Sequence, residues 1–244
     1  MKKACLLALL LSVGISVSAS AQTADEIIAK NLAARGGIER LRAIRSMVMT
    51  ESASTPDGKG APLKLLMLRP DRIREELAVG PGRAVKAFDG QSGWTQNPGP
   101  RGTTVRPLTG GDLQELRDDA ENAIDGVLAD YTSKGSRVEL AGTQTVDGKQ
   151  CYKLKVTLHT GHTQYQYIDT RTYLEVRQDI LGTMDGKPSA IEQTLSDYRS
   201  EGGVLFAHTI VSAMRGQPGR STVTIQRIEI NPPLDEKIFS MSRR

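Results

Sequence analysis

The feature that most constrains this chain is a rhythm that starts near Arg137 and runs almost to its end. Short alternating or β-branched segments at 138–143, 151–158, 163–168, 173–181, 190–198, 204–213 and 222–230 follow one another. Between them lie turn sequences: Asp147-Gly148, Thr160-Gly161, Asp169-Thr170, Asp185-Gly186, Gly202-Gly203 and Gly216 to Gly219. Connections this short can join only antiparallel neighbours, so the rhythm predicts a meander. No β-α-β alternation and no glycine-rich phosphate loop is present, which sets aside the nucleotide-binding α/β folds.

The first half carries the same period between two helical segments. Thr23 and Glu26 form a capping box for a helix that presents Ile27, Ile28 and Leu32 on one face and ends at Gly36-Gly37. A short turn at 38–43 follows. Strands are predicted at 47–52, 63–69, 72–78 and 84–88, with turns at Thr55-Pro56-Asp57-Gly58, Arg69-Pro70-Asp71, Gly80-Pro81-Gly82 and Asp89-Gly90. The stretch 97–102 is rich in proline and glycine and reads as a loop. A second helix is predicted at 112–129, with Leu113, Leu116, Ala120, Ala123, Ile124, Val127 and Leu128 on one stripe. Its other face carries Glu115, Asp118, Asp119, Glu121 and Asp125, read as solvated. A meander this long must close or curl. The expectation is a mainly β fold, a curled antiparallel half-barrel with a helical lid. An apolar hollow between sheet and helix stripe would suit an apolar ligand.

Residues 1–21 have the form of a cleaved export signal. Lys2 and Lys3 precede an apolar run from Leu6 that is too short to span a bilayer, and Ala19-Ser20-Ala21 supplies small residues for cleavage. The expected mature protein is one domain, 22–244, periplasmic and monomeric. Cys5 lies before the apolar run, where it cannot serve as a lipid-attachment site, so the protein is read as unlipidated. Cleavage removes both lysines and so halves the formal net charge of +4, which weakens any case for nucleic acid. It also removes Cys5, leaving Cys151 without an internal disulfide partner.

Catalytic sets are sparse. His159 and His162 flank a tight turn and supply two ligands at most, so no metal or cofactor is expected. Cys151 opens a strand and reads as an inert thiol, and no G-x-S-x-G elbow occurs. The chain is therefore read as a non-enzyme. The residues expected to line the hollow are Met47, Met49, Leu65, Met67, Ile73, Leu77, Phe88 and Trp94. The methionines can readjust to varied chains, and Trp94 offers a large rigid apolar ring. Arg69 ends an apolar strand just before Pro70, placed to donate to the carbonyls of a covering segment.

Several short motifs, in order, resemble the LolA-like family of periplasmic outer-membrane lipoprotein carriers. These are Leu68-Arg69-Pro70-Asp71, Asp89-Gly90-Gln91-Ser92-Gly93-Trp94 with Asn97-Pro98 after it, Asp197-Tyr198-Arg199 followed by Gly203-Val204, and Pro233-Leu234-Asp235 up to Phe239. The resemblance implies a lidded half-barrel that binds acyl chains of lipoproteins or other lipids and passes them on without covalent chemistry. A membrane protein would act as donor or acceptor. It also implies that Arg69 bonds lid backbone and keeps the empty hollow closed. The chain departs from the dedicated carriers in stopping soon after Phe239, without their extra C-terminal loop and strand, and in its few interior aromatics. The alternative reading is an envelope sensor or interaction module built on the same half-barrel.

Overall fold

The computed structural model describes residues 22–54, 60–184 and 187–241. The export signal and the turns at 55–58 and 185–186 lie outside them. The chain begins with α1 (Ala24–Ala34), where the Thr23 side chain accepts from the Glu26 backbone and the Glu26 side chain accepts from that of Thr23. After α2 (Ile38–Ala43) come β1 (Ser46–Ser54), β2 (Gly60–Leu68), β3 (Arg72–Val79), β4 (Gly82–Phe88), β5 (Gly93–Gly99) and β6 (Gly102–Pro107). Helix α3 (Gly110–Asn122) then leads to β7 (Arg137–Val146), β8 (Lys149–Thr157), β9 (Thr163–Asp169), β10 (Glu175–Met184), β11 (Lys187–Glu201), β12 (Val204–Met214) and β13 (Ser221–Ile230).

All these strands form one open, 13-stranded antiparallel sheet in the order β6-β5-β4-β3-β2-β1-β13-β12-β11-β10-β9-β8-β7. Two meanders are thus sewn together where the first strand meets the last, through pairs such as Met47–Ile230 and Met49–Ile228. The two free edges, β6 and β7, are consecutive in sequence. The segment between them, α3 and the turns after it, must therefore pass from one edge of the sheet to the other. It does so over the face that also receives α1 and α2. Leu116, Ala120 and Ile124 pack there with Leu41, Ile44, Met47, Met67 and Phe88. Leu128 packs with Ile27 and Ile28 of α1 and with Leu154, Val156 and Ile168 of β8 and β9.

Two sequence expectations are corrected. The stretch 97–102 is no loop, because Asn97 pairs with Thr104 and Pro98 with Thr103 across the β5–β6 hairpin. Proline is tolerated there because Pro98 of β5 lies past Val85–Gln96, the last pair with β4, so its missing N–H leaves no ladder bond to β4 unmade. The second helix stops at Asn122, whose side chain donates to the Asp118 carbonyl (2.8 Å), and Gly126 is left-handed (φ +82°). The apolar spacing continues past that point, but as a chain of turns whose Ile124, Leu128 and Ala129 are still buried.

Gly93 shows how closely α3 approaches. A Cβ there would lie 2.9 Å from Leu113 and 3.3 Å from Leu116. The opposite face of the same region is also covered. Phe239, fully buried, packs with Val48, Leu66, Leu234 and Ile238, and Arg74 donates to the Ile238 carbonyl (2.8 Å).

Candidate functional site

A hollow of about 980 Å3 lies between α3 and the sheet. Its walls include Leu65 and Ile73 of β2 and β3 and also Gln178, Ile180 and Ile191 of β10 and β11. Strands β3 and β10 are six places apart in the sheet order, roughly 29 Å if the sheet were flat. Their meeting around one hollow requires the sheet to curl.

The structure divides the residues that the sequence marked as lining. Leu65 and Ile73 border the hollow. Met47, Met49, Met67 and Phe88 share its face but are packed beside it as solid core, with Met47, Met67 and Phe88 completely buried. Leu77 follows Ile73 on the same face by alternation, is half-buried, and lies outside the lining. Trp94 belongs to the other face. Gly93 meets α3, so its neighbour must point away, and the Trp94 indole donates to the Phe239 carbonyl (2.7 Å) with the Arg74 guanidinium 5.4 Å over its ring. The expectation that Trp94 lines the hollow is therefore corrected: it anchors the C-terminal segment.

The hollow also departs from the expected apolar character. Gln164, Gln166, Gln178 and Gln193 line it, as do Glu75, Glu115, Asp118, Asp119 and Glu175. The acidic side of α3, read as solvated, faces this space, because the helix stands at the boundary between packed core and hollow. The glutamines are in register. The side-chain amides of Gln166 and Gln178 lie 3.2 Å apart, Gln178 donates to Gln193, and Gln193 donates to Ser212 (3.2 Å), an amide ladder across β9 to β12. Only the pairing register brings them together, so single strands carry no sign of it.

Burial of Glu175 among these groups pushes its carboxyl up to about 8, partly opposed by nearby Arg35. The Gln166 amide lies against that carboxyl. Asp119 is wetted by the hollow, yet the surrounding walls exclude enough solvent to push it up to about 7. Lys86 opposes that rise, while Glu75, Glu115 and Asp118 reinforce it. Burial likewise raises Glu75.

At the rim, Arg69 Nε donates to the Ile44 carbonyl (2.7 Å). Its Nη2 donates to the Leu41 carbonyl (3.2 Å) and to the Asp125 carboxylate (3.0 Å). Asp125 is almost fully buried and also receives Lys134 Nζ (3.0 Å), while Arg35 donates to the Asp125 carbonyl (2.8 Å). Asp125, through its carboxylate and its backbone carbonyl, thus ties Arg69 and Arg35 to the turns after α3, and Arg69 in turn holds α2 through Leu41. The sequence singled out Arg69 but neither Asp125 nor Lys134, since Asp125 looked like one more charge on a polar helix face.

The remaining candidates separate. His162 Nδ1 pairs with Asp118 (2.5 Å) and His159 Nδ1 with Glu121 (3.3 Å), fastening the β8–β9 turn to α3. Cys151 is buried near Val146, Tyr167 and Val176 at the other end of β8, so it does not meet the histidines. Among the described residues no group of three or more His, Cys, Asp or Glu is arranged to hold a metal, and no helix is long and apolar enough to cross a membrane.

No protein-family model matches this chain. No curated protein sequence matches it either. Solved structures do resemble it. A DUF1329 family protein from Desulfovibrio piger superposes with a TM-score of 0.61 at 14% identity, covering 88% of this chain and 96% of that one. A putative outer membrane lipoprotein-sorting protein domain from Vibrio parahaemolyticus gives 0.59 at 12% identity, covering 88% and 94%. A LolA superfamily protein from Nitrosomonas europaea gives 0.57 at 14% identity, covering 91% and 99%. The fold of this chain is LolA-like.

Proposed function

We propose that the protein is an envelope carrier or binding protein that holds a lipid, or the acyl chain of a lipoprotein, in the hollow without covalent chemistry. The observation that carries this reading is the hollow itself: about 980 Å3 bounded by a curled sheet and a helix, at the large end of the range that small-molecule sites occupy. Aliphatic side chains at Leu65, Ile73, Val127, Leu158, Ile180, Leu181 and Ile191 border it. Burying a chain against them at about 25 cal/mol per Å2 supplies affinity. The export signal at residues 1–21 would deliver the protein to an aqueous compartment between membranes, where a lipid has to be shielded.

In this reading α2, α3 and the turns that follow are the lid, and Arg69 is its latch. Lifting the lid exchanges the directional, polar contacts of Arg69 for water and also breaks the apolar packing of Leu41 and Leu116.

The test is to purify the processed protein from the envelope, extract it and identify bound lipid by mass spectrometry. Uptake of a neutral environment-sensitive dye is measured in parallel. Co-purifying lipid, and dye fluorescence that added lipid displaces, are the expected results. A protein that carries no lipid and takes up no dye defeats the proposal.

A further inference from the structure

The polar lining of the hollow is ordered, and the order suggests what the head of the bound molecule is. Two neighbouring rows on the same face of the sheet run across β9 to β12. One is Gln164, Ile180, Ile191 and Met214, joined through the pairs Ile180–Gln164, Ile180–Ile191 and Ile191–Met214. The other is the amide ladder of Gln166, Gln178, Gln193 and Ser212. An apolar strip thus lies directly beside a strip of hydrogen-bonding groups. Gln164 is only 8% exposed as a residue and borders the hollow, and its amide carbonyl, which accepts no hydrogen bond from the described residues, is open to a donor in the hollow.

The opposite wall is acidic. Glu75 from β3 and Glu115, Asp118 and Asp119 from α3 border the space, and Glu175 closes it from β10. No lysine or arginine is among the described lining residues. Lys86 pairs with Glu75 across β3 and β4 on the same face of the sheet, beside this wall but outside the lining, and Arg35 offsets part of the charge of Glu175. Asp118 is committed to His162 and Thr160. Glu75, Glu115 and Asp119 form no ion pair or side-chain hydrogen bond with other described residues.

Resting on the reading of the hollow as a lipid site, we propose that its ligand is a cationic amphiphile: a hydrocarbon body with a primary-amine head, and neither a fatty acid nor a phosphate ester. An ammonium is a compact donor with three N–H groups and no acceptor, which suits carboxylates without an ion-pair partner and an amide oxygen open to the hollow. An anionic head would meet like charges on that wall and would find no cation among the described lining residues. The apolar row is positioned to take the body while the acidic wall takes the head.

The test compares decylamine, decanol and decanoic acid, equal in chain length, by titration calorimetry with the wild-type protein, and adds spermidine as a chainless amine. Decylamine is expected to bind at least about tenfold tighter than decanol, the effect of one well-placed charge contact, with decanoic acid weakest and spermidine far below decylamine. In a Glu75→Gln/Asp119→Asn double variant the amine-to-alcohol ratio is expected to fall at least about fivefold. Equal binding of all three decyl compounds overturns the head-group proposal and leaves the lipid site standing. Decanoic acid binding as tightly as decylamine also overturns it, and spermidine matching decylamine replaces it with a polyamine site. If no decyl compound binds and the neutral dye is not taken up, the lipid site itself falls. The wild-type series decides these outcomes even if the double variant fails to fold.

Discussion

The two halves of the concave face use the same backbone and finish it differently. Beneath α3, strands β1 to β5 present Met47, Met67, Ile73 and Phe88, and the helix fills the space with Leu116, Ala120 and Ile124. Further round the sheet, beyond β13, β9 to β12 present glutamines and a few aliphatic side chains, and the space above them stays open. The difference is one of side-chain volume and polarity against a common curl. A meander long enough to wrap must fill its interior or leave it empty, and this chain does one in each half. The packed half should therefore carry the stability and the open half the ligand chemistry.

That division can be broken most forcefully by exchanging the two kinds of residue. Phe88→Ala removes a completely buried ring from the packed half and should cost about 3–5 kcal/mol, seen as a lower denaturant midpoint at unchanged m-value. Gln193→Leu in the open half breaks a rung of the ladder, but the freed amides face a space that water can enter. The cost should stay within about 1 kcal/mol. Comparable losses from both would show that the open half is structural and would undo the comparison.

The seam between the halves should be almost as sensitive. Asp125→Ala removes the partner of Arg69 and Lys134 in a nearly fully buried position, leaving two cations uncompensated, and should cost about 3–5 kcal/mol. Arg69→Ala deletes the bonds to Ile44, Leu41 and Asp125 but leaves the carboxylate with Lys134, so its loss should be smaller. If Arg69 acts as the latch, its variant should also exchange dye faster than wild type in stopped flow. Unchanged exchange would reduce Arg69 to a structural tie.

How far the sequence revealed these parts follows from how local each signal is. The capping box at Thr23 and Glu26, and hairpin turns such as Asp147-Gly148 and Gly202-Gly203, are decided within a few residues, and the structure places them as read. The end of α3 was overrun because the apolar period continues from Leu116 to Leu128, while the stop depends on Asn122 bonding back to its own helix and on the left-handed Gly126. The side taken by Trp94 was hidden for another reason. Both faces of β5 are covered, one by α3 and the other by the C-terminal segment, so alternation gives two buried choices. The amide ladder was not legible, since Gln166, Gln178 and Gln193 become neighbours only through the register of separate hairpins. Asp119 looked like an ordinary surface charge until the curl of the sheet closed a hollow in front of it.

Proton linkage sharpens the comparison with a smaller effect. Glu175 is held near 8 against an ordinary 4.5, so the folded state binds a proton more tightly than the unfolded one. A raised carboxyl favours folding fully below about 4.5 and loses that contribution as pH climbs through 8. Asp119 acts in the same direction through about 7. The protein should therefore melt at a lower temperature at pH 8.5 than at pH 5.5, and Glu175→Gln should flatten that slope. The packed half offers the control, because Phe88→Ala should lower the melting temperature at both pH values and leave the slope unchanged. A slope that persists in Glu175→Gln would assign the linkage to other groups.

The smallest effect concerns the face turned away from the hollow. Trp94→Phe keeps most of the buried ring but removes the indole N–H that donates to the Phe239 carbonyl, at a cost of about 1 kcal/mol. Arg74 would still bond the Ile238 carbonyl, and Phe239 would still fill its site against Val48 and Leu66, so the C-terminal segment should stay docked. Ligand uptake should not change, because the ring and the hollow are on opposite sides of the sheet. Altered affinity for any of the decyl probes would mean that the outer face communicates with the inner one. The route would be the shared strands β3 to β5, where Gly93 and Trp94 are consecutive residues, one against α3 and the other against Phe239.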